Sequence, residues 1–426
     1  YDFHFLDVDR VDILRGPQGT LYGRNTMGGL MRVFTADPFA RQGTDLSLGA
    51  STRNGGRRAS FSSFFRPADK LALSVGAYYD GQNGFFRNVT TGRHADASDA
   101  AGGRIKVGYR PTENVRIDWN ASYEYSDEGA CPYKRVEGDG SLSGIAAEGL
   151  DRITSNRPSH YKRNMLNTGA SVEWAAPRFL LSSITSWQYL ADRLFMDQDF
   201  IAADIFTLEQ KQRMQTFTEE FTLRSRNASR WQWTAGAFFM HQSMTTRCPV
   251  VFYADGVEFL NGQIASAMPE QMPMSLELTG NRLPFNARLR TPSDNVAVFH
   301  QSVFRDFLLR GLSLTAGVRL DYDRRSLDLS SYMDAPADYR FAMESFRIET
   351  DLSAHPRQDG RLSDDSWQLL PKAGLQYELP RNRGNVYVTV SKGYRSGGYN
   401  IQSYSALSQL LLRREIMLGV KEYSTD

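Results

Sequence analysis

Two cysteines, Cys131 and Cys248, are all that this chain of 426 residues contains, and neither belongs to a Cys-x-x-Cys pair. Its six histidines form no close pairs either. Zinc and related metals need such spacings, so no metal site and no cofactor are expected. No run of about 18 apolar residues occurs, which excludes a membrane-spanning helix. It does not exclude a β-barrel, whose strands present a side chain to lipid only at every second position. An excess of either charge is lacking as well: 50 Lys and Arg stand against 48 Asp and Glu. Nothing in that balance points to nucleic acid or to an acidic partner. The chain opens on Tyr1 without a basic stretch followed by an apolar one, so no signal peptide is in view. We read this as truncation. Carboxylate pairs such as Glu219-Glu220 and Asp364-Asp365 have no nucleophile and base set beside them, so no catalytic residue is assigned.

What the chain does have is glycine (35 residues), aromatics (12%) and a repeated alternation. Val115, Ile117, Trp119, Ala121, Tyr123 and Tyr125 fall on one side of a two-residue period. Arg116, Asp118, Asn120, Ser122 and Glu124 fall on the other. A strand points successive side chains to opposite faces, so this is a strand with one apolar and one polar face. The same pattern recurs at Leu46–Ala50, Leu71–Tyr79, Ile105–Tyr109, Trp231–Phe239, Leu312–Tyr322 and Val386–Val390.

The connections alternate between short and long. Short turns stand at 67–69, 111–113, 176–177, 227–229 and 381–384; longer loops stand at 82–100, 127–167, 191–212, 244–293 and 326–365. In an antiparallel meander every second connection lies at the same end, so the long loops share one side and the short turns the other. Outer-membrane barrels have that asymmetry. A soluble propeller or sandwich, the competing fold, would show repeats of constant period and no such parity. The expected fold is all-β: an antiparallel transmembrane β-barrel with about 14 strands, each near the ~10 residues that cross a bilayer.

The segment ahead of the first strand reads Val8-Asp9-Arg10-Val11-Asp12-Ile13-Leu14-Arg15-Gly16-Pro17-Gln18-Gly19-Thr20-Leu21-Tyr22-Gly23, then Gly28-Gly29-Leu30-Met31-Arg32-Val33. It lacks the Gly-Lys-Ser/Thr ending of a phosphate-binding loop. It resembles the end of the plug domain of TonB-dependent outer-membrane receptors, through Arg15, Gly16, Pro17, Gly19, Tyr22, Gly23, Gly28 and Gly29. One departure is Met31-Arg32-Val33, where the family commonly has Ile-Asn-Ile. Weaker likenesses follow in the family's order at Phe217–Leu223, Trp233–Phe239, Leu314–Arg319 and Ser391–Asn400.

The resemblance implies two units, residues 1–40 as the C-terminal part of a plug and 41–426 as a barrel truncated at its C-terminus. Family barrels have about 22 strands around a plugged lumen, so about 14 would leave this one incomplete. It implies the outer membrane of a Gram-negative bacterium, with lipid and lipopolysaccharide around the barrel. It implies energised uptake of a scarce solute, a ferric siderophore or similar iron complex, with haem, cobalamin or a glycan as alternatives and a passive barrel as a further one. The TonB complex is the implied partner, and its contact segment would precede Tyr1. Related receptors join plug arginines to barrel glutamates, so Arg15 and Glu220 are expected to form a latch. Solute contacts are expected in the long loops, at Tyr133, Lys134, Arg135, His160, Tyr161, Arg247, Phe252 and Tyr253, since cationic and aromatic groups suit anionic iron complexes. Met268, Met272 and Met274 could meet a soft metal or haem, or simply pack. Cys131 and Cys248 fall in loops on one side, where a disulfide is possible.

Overall fold

The computed structural model describes residues 6–135, 151–227, 229–267, 274–343, 346–355, 357–380 and 384–399. The chain begins with a hairpin of β1 (Val8–Arg15) and β2 (Gly29–Thr35), with one helical turn, α1 (Gly19–Tyr22), in the connector. Then come β3 (Gly43–Ser51), β4 (Gly56–Ala68), β5 (Leu71–Gln82), β6 (Ser98–Thr112), β7 (Val115–Gly129), β8 (His160–Ala175), β9 (Phe179–Asp197), β10 (Phe206–Ser225) and β11 (Trp231–Arg247). Beyond them lie β12 (Val250–Phe252), α2 (Ala254–Ala267), β13 (Met274–Leu278), β14 (Leu283–Phe304), β15 (Leu312–Met333), β16 (Ala335–Met343), β17 (Phe346–Ala354), β18 (Arg357–Glu378) and β19 (Asn385–Ser391).

One 14-stranded antiparallel sheet runs from β3 through β11, then β14, β15, β18 and β19, with the three-residue β12 wedged between β10 and β14. Among the described residues its two outer strands, β3 and β19, do not pair with each other.

The faces of this sheet reverse the order of a soluble protein. On β15, Val318 and Leu320 are exposed while Arg319, Asp321 and Asp323 between and beyond them are buried. On β7, Tyr123 and Tyr125 are exposed while Glu124 and Ser126 are buried. Charged side chains are almost never buried unless paired, and broad exposed apolar surface marks contact with something other than water. A wall with lipid outside and polar groups inside satisfies both. Aromatic pairs mark the two rims of that outer face. Trp174 with Phe179 and Trp231 with Phe304 flank short turns, at 5.6 and 6.2 Å between centroids. Tyr322 and Trp367 meet at 4.9 Å eight residues further up the wall, since Leu314 pairs with Phe304 and Tyr322 with Val296. At ~3.3 Å per residue that separation is close to the ~25 Å apolar band of such barrels.

β14, β15 and β18 are each 22 residues long, about twice what a bilayer needs. Their upper halves stand above the membrane. There the sequence reading placed bare loops at 244–293 and 326–365. The structure instead holds α2 and a separate sheet, β13-β16-β17. The reason is burial: Leu283, Phe285, Ala287 and Leu289 alternate on β14 and pack with Val257, Leu276, Leu278 and Met333 in an apolar cluster of ordinary soluble type.

Candidate functional site

The glycine-rich segment crosses the concave, polar side of the wall. At one end, Arg104 Nη1 donates to the Leu6 carbonyl at 2.7 Å, Lys106 Nζ to the Ala36 carbonyl at 2.8 Å, and Arg116 pairs with Asp37 at 3.0 Å. At the other, Thr20 Oγ1 donates to the Leu370 carbonyl at 3.3 Å and Ser391 Oγ to the Pro17 carbonyl at 3.0 Å. The segment therefore bridges β6 and β7 to β18 and β19. Its glycines permit the approach. Gly23 has φ +72°, and a Cβ there would lie 2.8 Å from Arg319 Nη2. Gly29 has φ +143°, and a Cβ there would collide with the Leu14 carbonyl oxygen. Only glycine tolerates such positions.

A charged network anchors the far end. Arg319 donates to Asp321 at 2.7 and 3.1 Å, and both are buried. Asn295 Nδ2 reaches Asp321 at 3.2 Å and Asp323 at 3.1 Å. Tyr394 Oη donates to Asp323 at 2.5 Å, and Arg24 Nη1 to the same carboxylate at 3.2 Å. Buried charges persist only when paired and hydrogen-bonded in this way.

Above this network lies a cavity of about 1010 Å³. The glycine-rich segment supplies Arg24, Asn25, Met27 and Gly28; the wall supplies Gln242, Met244, residues 291–293, Arg325 and Ser326. Residues 395–399 close the ring. Three guanidinium groups border it. Arg24 is engaged by Asp323 and Arg325 by Asp364 at 2.6 Å. Arg395 is exposed and has no ion pair among the described residues. The segment is tied to the ring by its backbone, with Asn25 N–H on the Tyr394 carbonyl at 3.0 Å and Ser396 N–H on Asn25 Oδ1 at 3.2 Å. A concave, cationic, partly aromatic site of this size can hold an anionic solute of several rings.

The residues singled out from the sequence divide. The glycines and Pro17 of the segment lie where it meets the wall. The expected latch does not form: Arg15 ends β1 exposed and makes no ion pair with Glu220, and the cation whose field reaches Glu220 is Arg319. The chain turns back immediately after Arg15, which leaves its side chain off the wall, whereas Arg24 on the far side of the turn points into it.

None of the eight loop residues expected to contact solute lines the cavity. Most knit the outer loops together. Tyr133 packs edge-on against Phe200 at 5.4 Å, Lys134 pairs with Asp151 at 3.2 Å, and Arg135 donates to the Asp199 carbonyl at 3.3 Å. His160 stacks on Phe195 at 5.4 Å, and Tyr161 Oη donates to Asp192 at 3.0 Å. Phe252 stacks on Phe206 at 5.5 Å, Tyr253 lies under the Arg157 guanidinium at 3.7 Å, and Arg247 is exposed at the end of β11.

The disulfide is absent: Cys131 and Cys248 are both free thiols. Cys131 sits just after β7, while Cys248 packs against the apolar cluster of the upper lobe. Met268, Met272 and the side chain of Met274 lie outside the described residues. Among the described residues no group of three or more His, Cys, Asp or Glu could hold a metal ion. The sequence reading missed Arg24, Arg325 and Arg395. Arg24 and Arg395 stand inside two of the stretches that carry the family likeness, and that was the signal available.

Comparison with known proteins agrees with this architecture. The pesticin receptor of Yersinia pestis is 23% identical over 407 residues, covering 93% of this chain and 50% of that protein. The chain thus spans about half the length of the curated relatives it matches. The crystal structure of the ferric yersiniabactin uptake receptor FyuA from Yersinia pestis aligns with a TM-score of 0.65 at 19% identity, covering 93% of this chain and 53% of that one. The siderophore receptor PiuA from Acinetobacter baumannii aligns at 0.61 and 13%, covering 93% and 56%. The family description "TonB dependent receptor-like, beta-barrel" matches residues 132–414. Its members are receptors of the Gram-negative outer membrane, and the chain belongs to this TonB-dependent receptor family.

Proposed function

We propose that the chain is part of a receptor that takes up a ferric siderophore across the outer membrane, driven by the TonB complex. The single observation behind this reading is the cavity whose floor is the glycine-rich segment and whose rim carries Arg24, Arg325 and Arg395. A solute seated there would touch both the wall and the segment that blocks the lumen. Pulling the segment aside would then release the solute on the other side. The guanidinium groups suit the carboxylates and phenolates of an anionic iron complex. Relatives described as a pesticin receptor, a ferric yersiniabactin uptake receptor and a siderophore receptor favour the same solute class.

In this reading residues up to about 40 are the end of a plug, and the outer loops shape the entrance. The exposed apolar band sits in outer-membrane lipid and lipopolysaccharide. No bond of the solute is made or broken by the protein, so it is a transporter and not an enzyme. The test is uptake of radiolabelled iron complexes by cells carrying the full-length receptor. Accumulation of a ferric siderophore that requires both the receptor and TonB is expected. Uptake that persists without TonB, or is confined to haem, cobalamin or a glycan, would falsify the reading.

A further inference from the structure

The top of β9 and the loop after it hold two carboxyl groups that water does not reach. Asp197 is 1% exposed and Asp199 is 2% exposed. β9 is 19 residues long, and Asp197 is its last residue, so the pair stands above the membrane on the side of the long loops.

Their hydrogen bonds are unequal. Asp199 accepts three backbone N–H groups, from Ile201 at 3.0 Å, Ile205 at 3.3 Å and Phe206 at 3.1 Å. That pattern stabilises a carboxylate anion. Asp197 accepts the Arg157 N–H on Oδ2 at 3.1 Å, while its buried Oδ1 receives no donor. Asp199, two residues along the chain, is the neighbouring acid that acts on Asp197.

Among the described residues neither carboxyl is ion-paired with a cation, and the Arg157 guanidinium acts on Asp197 only through its field. The Arg157 side chain is committed to Asp204, at 2.8 and 2.9 Å, and stacks on Tyr253. Arg135 donates to the main-chain carbonyl of Asp199 at 3.3 Å. Asp255 accepts the Asp204 N–H at 2.7 Å, and the His160 ring lies on Phe195. Two adjacent anions in a dry site with no ion-paired counter-charge are strongly disfavoured, and a single proton between them removes the conflict.

The pair lies where loops cross. Asn156 N–H donates to the Ile201 carbonyl at 3.2 Å, Thr154 Oγ1 to the Phe200 carbonyl at 3.5 Å, and Tyr253 N–H to the Ile205 carbonyl at 2.9 Å. Asn88 Nδ2 joins a further loop through the Ser155 carbonyl at 2.8 Å. We propose that Asp197 and Asp199 form a proton-binding site: Asp197 carries a proton on Oδ1, donates it to Asp199, and so clasps the loops of residues 153–159 and 198–205. Loss of that proton in alkaline medium leaves two facing carboxylates and loosens the clasp.

Burial first, and then the neighbouring acid, pushes Asp197 well above the usual carboxylate range; burial pushes Asp199 up as well. The ordered loops therefore bind a proton that the disordered loops release near pH ~4. The clasp is strongest in acid, weakens as pH rises from there, and is lost above the raised value.

Hydrogen–deuterium exchange of the full-length receptor in detergent, corrected for intrinsic rates, tests this together with infrared spectroscopy. Protection of segments 153–159 and 198–205 is expected to fall about tenfold or more between about pH 6 and about pH 9. The Asp197→Asn variant, which mimics the protonated acid, keeps its protection across that range, and His160→Gln falls as the parent does. A carbonyl stretch from a protonated carboxyl is expected in the parent at neutral pH and absent from Asp197→Asn. The parent spectrum decides even if the variant fails to fold. Absence of that band, an equal fall in Asp197→Asn, loss of the fall in His160→Gln, or recovery of protection at high pH on adding calcium would each overturn the proposal.

Discussion

Arg24 and Asp323, 299 residues apart in sequence, meet at 3.2 Å inside the wall, each with a side chain that is at most 19% exposed. The same carboxylate accepts from Tyr394 and Asn295. Removing it strands a shielded guanidinium and the Tyr394 hydroxyl, while Asn295 keeps Asp321. Asp323→Ala is therefore expected to destabilise the folded receptor by about 3–5 kcal/mol, the usual loss on breaking a buried pair from one side. The lower melting temperature of the detergent-solubilised protein reads this out. A shift no larger than that of a surface substitution would mean the contact carries little.

The glycines of the segment are not equivalent. Gly23 combines φ +72° with a close approach to Arg319, whereas a Cβ at Gly28 would meet nothing within 4 Å. A left-handed backbone costs about 1–2 kcal/mol for an ordinary residue. Gly23→Ala is expected to lower stability by at least that much and to expose the segment to protease. Gly28→Ala is expected to behave as the parent in the same digestion.

Arg395 is the exposed cation at the cavity, with no ion pair among the described residues. Reversing its charge should leave folding intact while repelling an anionic solute. For Arg395→Glu the dissociation constant is expected to rise at least about tenfold, or ~1.4 kcal/mol, with a weaker dependence on salt. Unchanged affinity in a folded variant would remove Arg395 from the site.

Both cysteines are free, and burial pushes each thiol above its ordinary pKa. Less thiolate is then present at a given pH, and the thiolate is what reacts. Maleimide should label Cys131 and Cys248 without prior reduction, more slowly than an unstructured cysteine at pH ~8, and faster as pH rises. Labelling that requires a reductant would restore the disulfide.

Much of the wall was legible in the chain. A period of two at Val115–Tyr125 or Leu312–Tyr322 decides which residues share a face, because a strand allows no other arrangement. The alternation of short and long connections set the parity of the two rims. The Gly-Pro-x-Gly stretch and Ser391–Asn400 carried the family. The upper lobe was less legible. Residues 335–343 and 346–354 form a hairpin beyond the membrane, where turns and polar residues interrupt the pattern and nothing local separates a folded lobe from a bare loop.

The sequence alone therefore determined the all-β character, the two faces of the strands and the presence of a glycine-rich segment before them, since those depend on local chemistry and spacing. The partners of its charges were decided only by the tertiary structure. Arg15 and Arg24 both lie in the same glycine-rich stretch, yet Arg24 meets Asp323 in the wall, while Arg15 is left exposed. The burial of Asp197 and Asp199 likewise belongs to the tertiary structure. Such pairings join residues far apart along the chain, or depend on which groups water can reach, and local periodicity carries neither quantity.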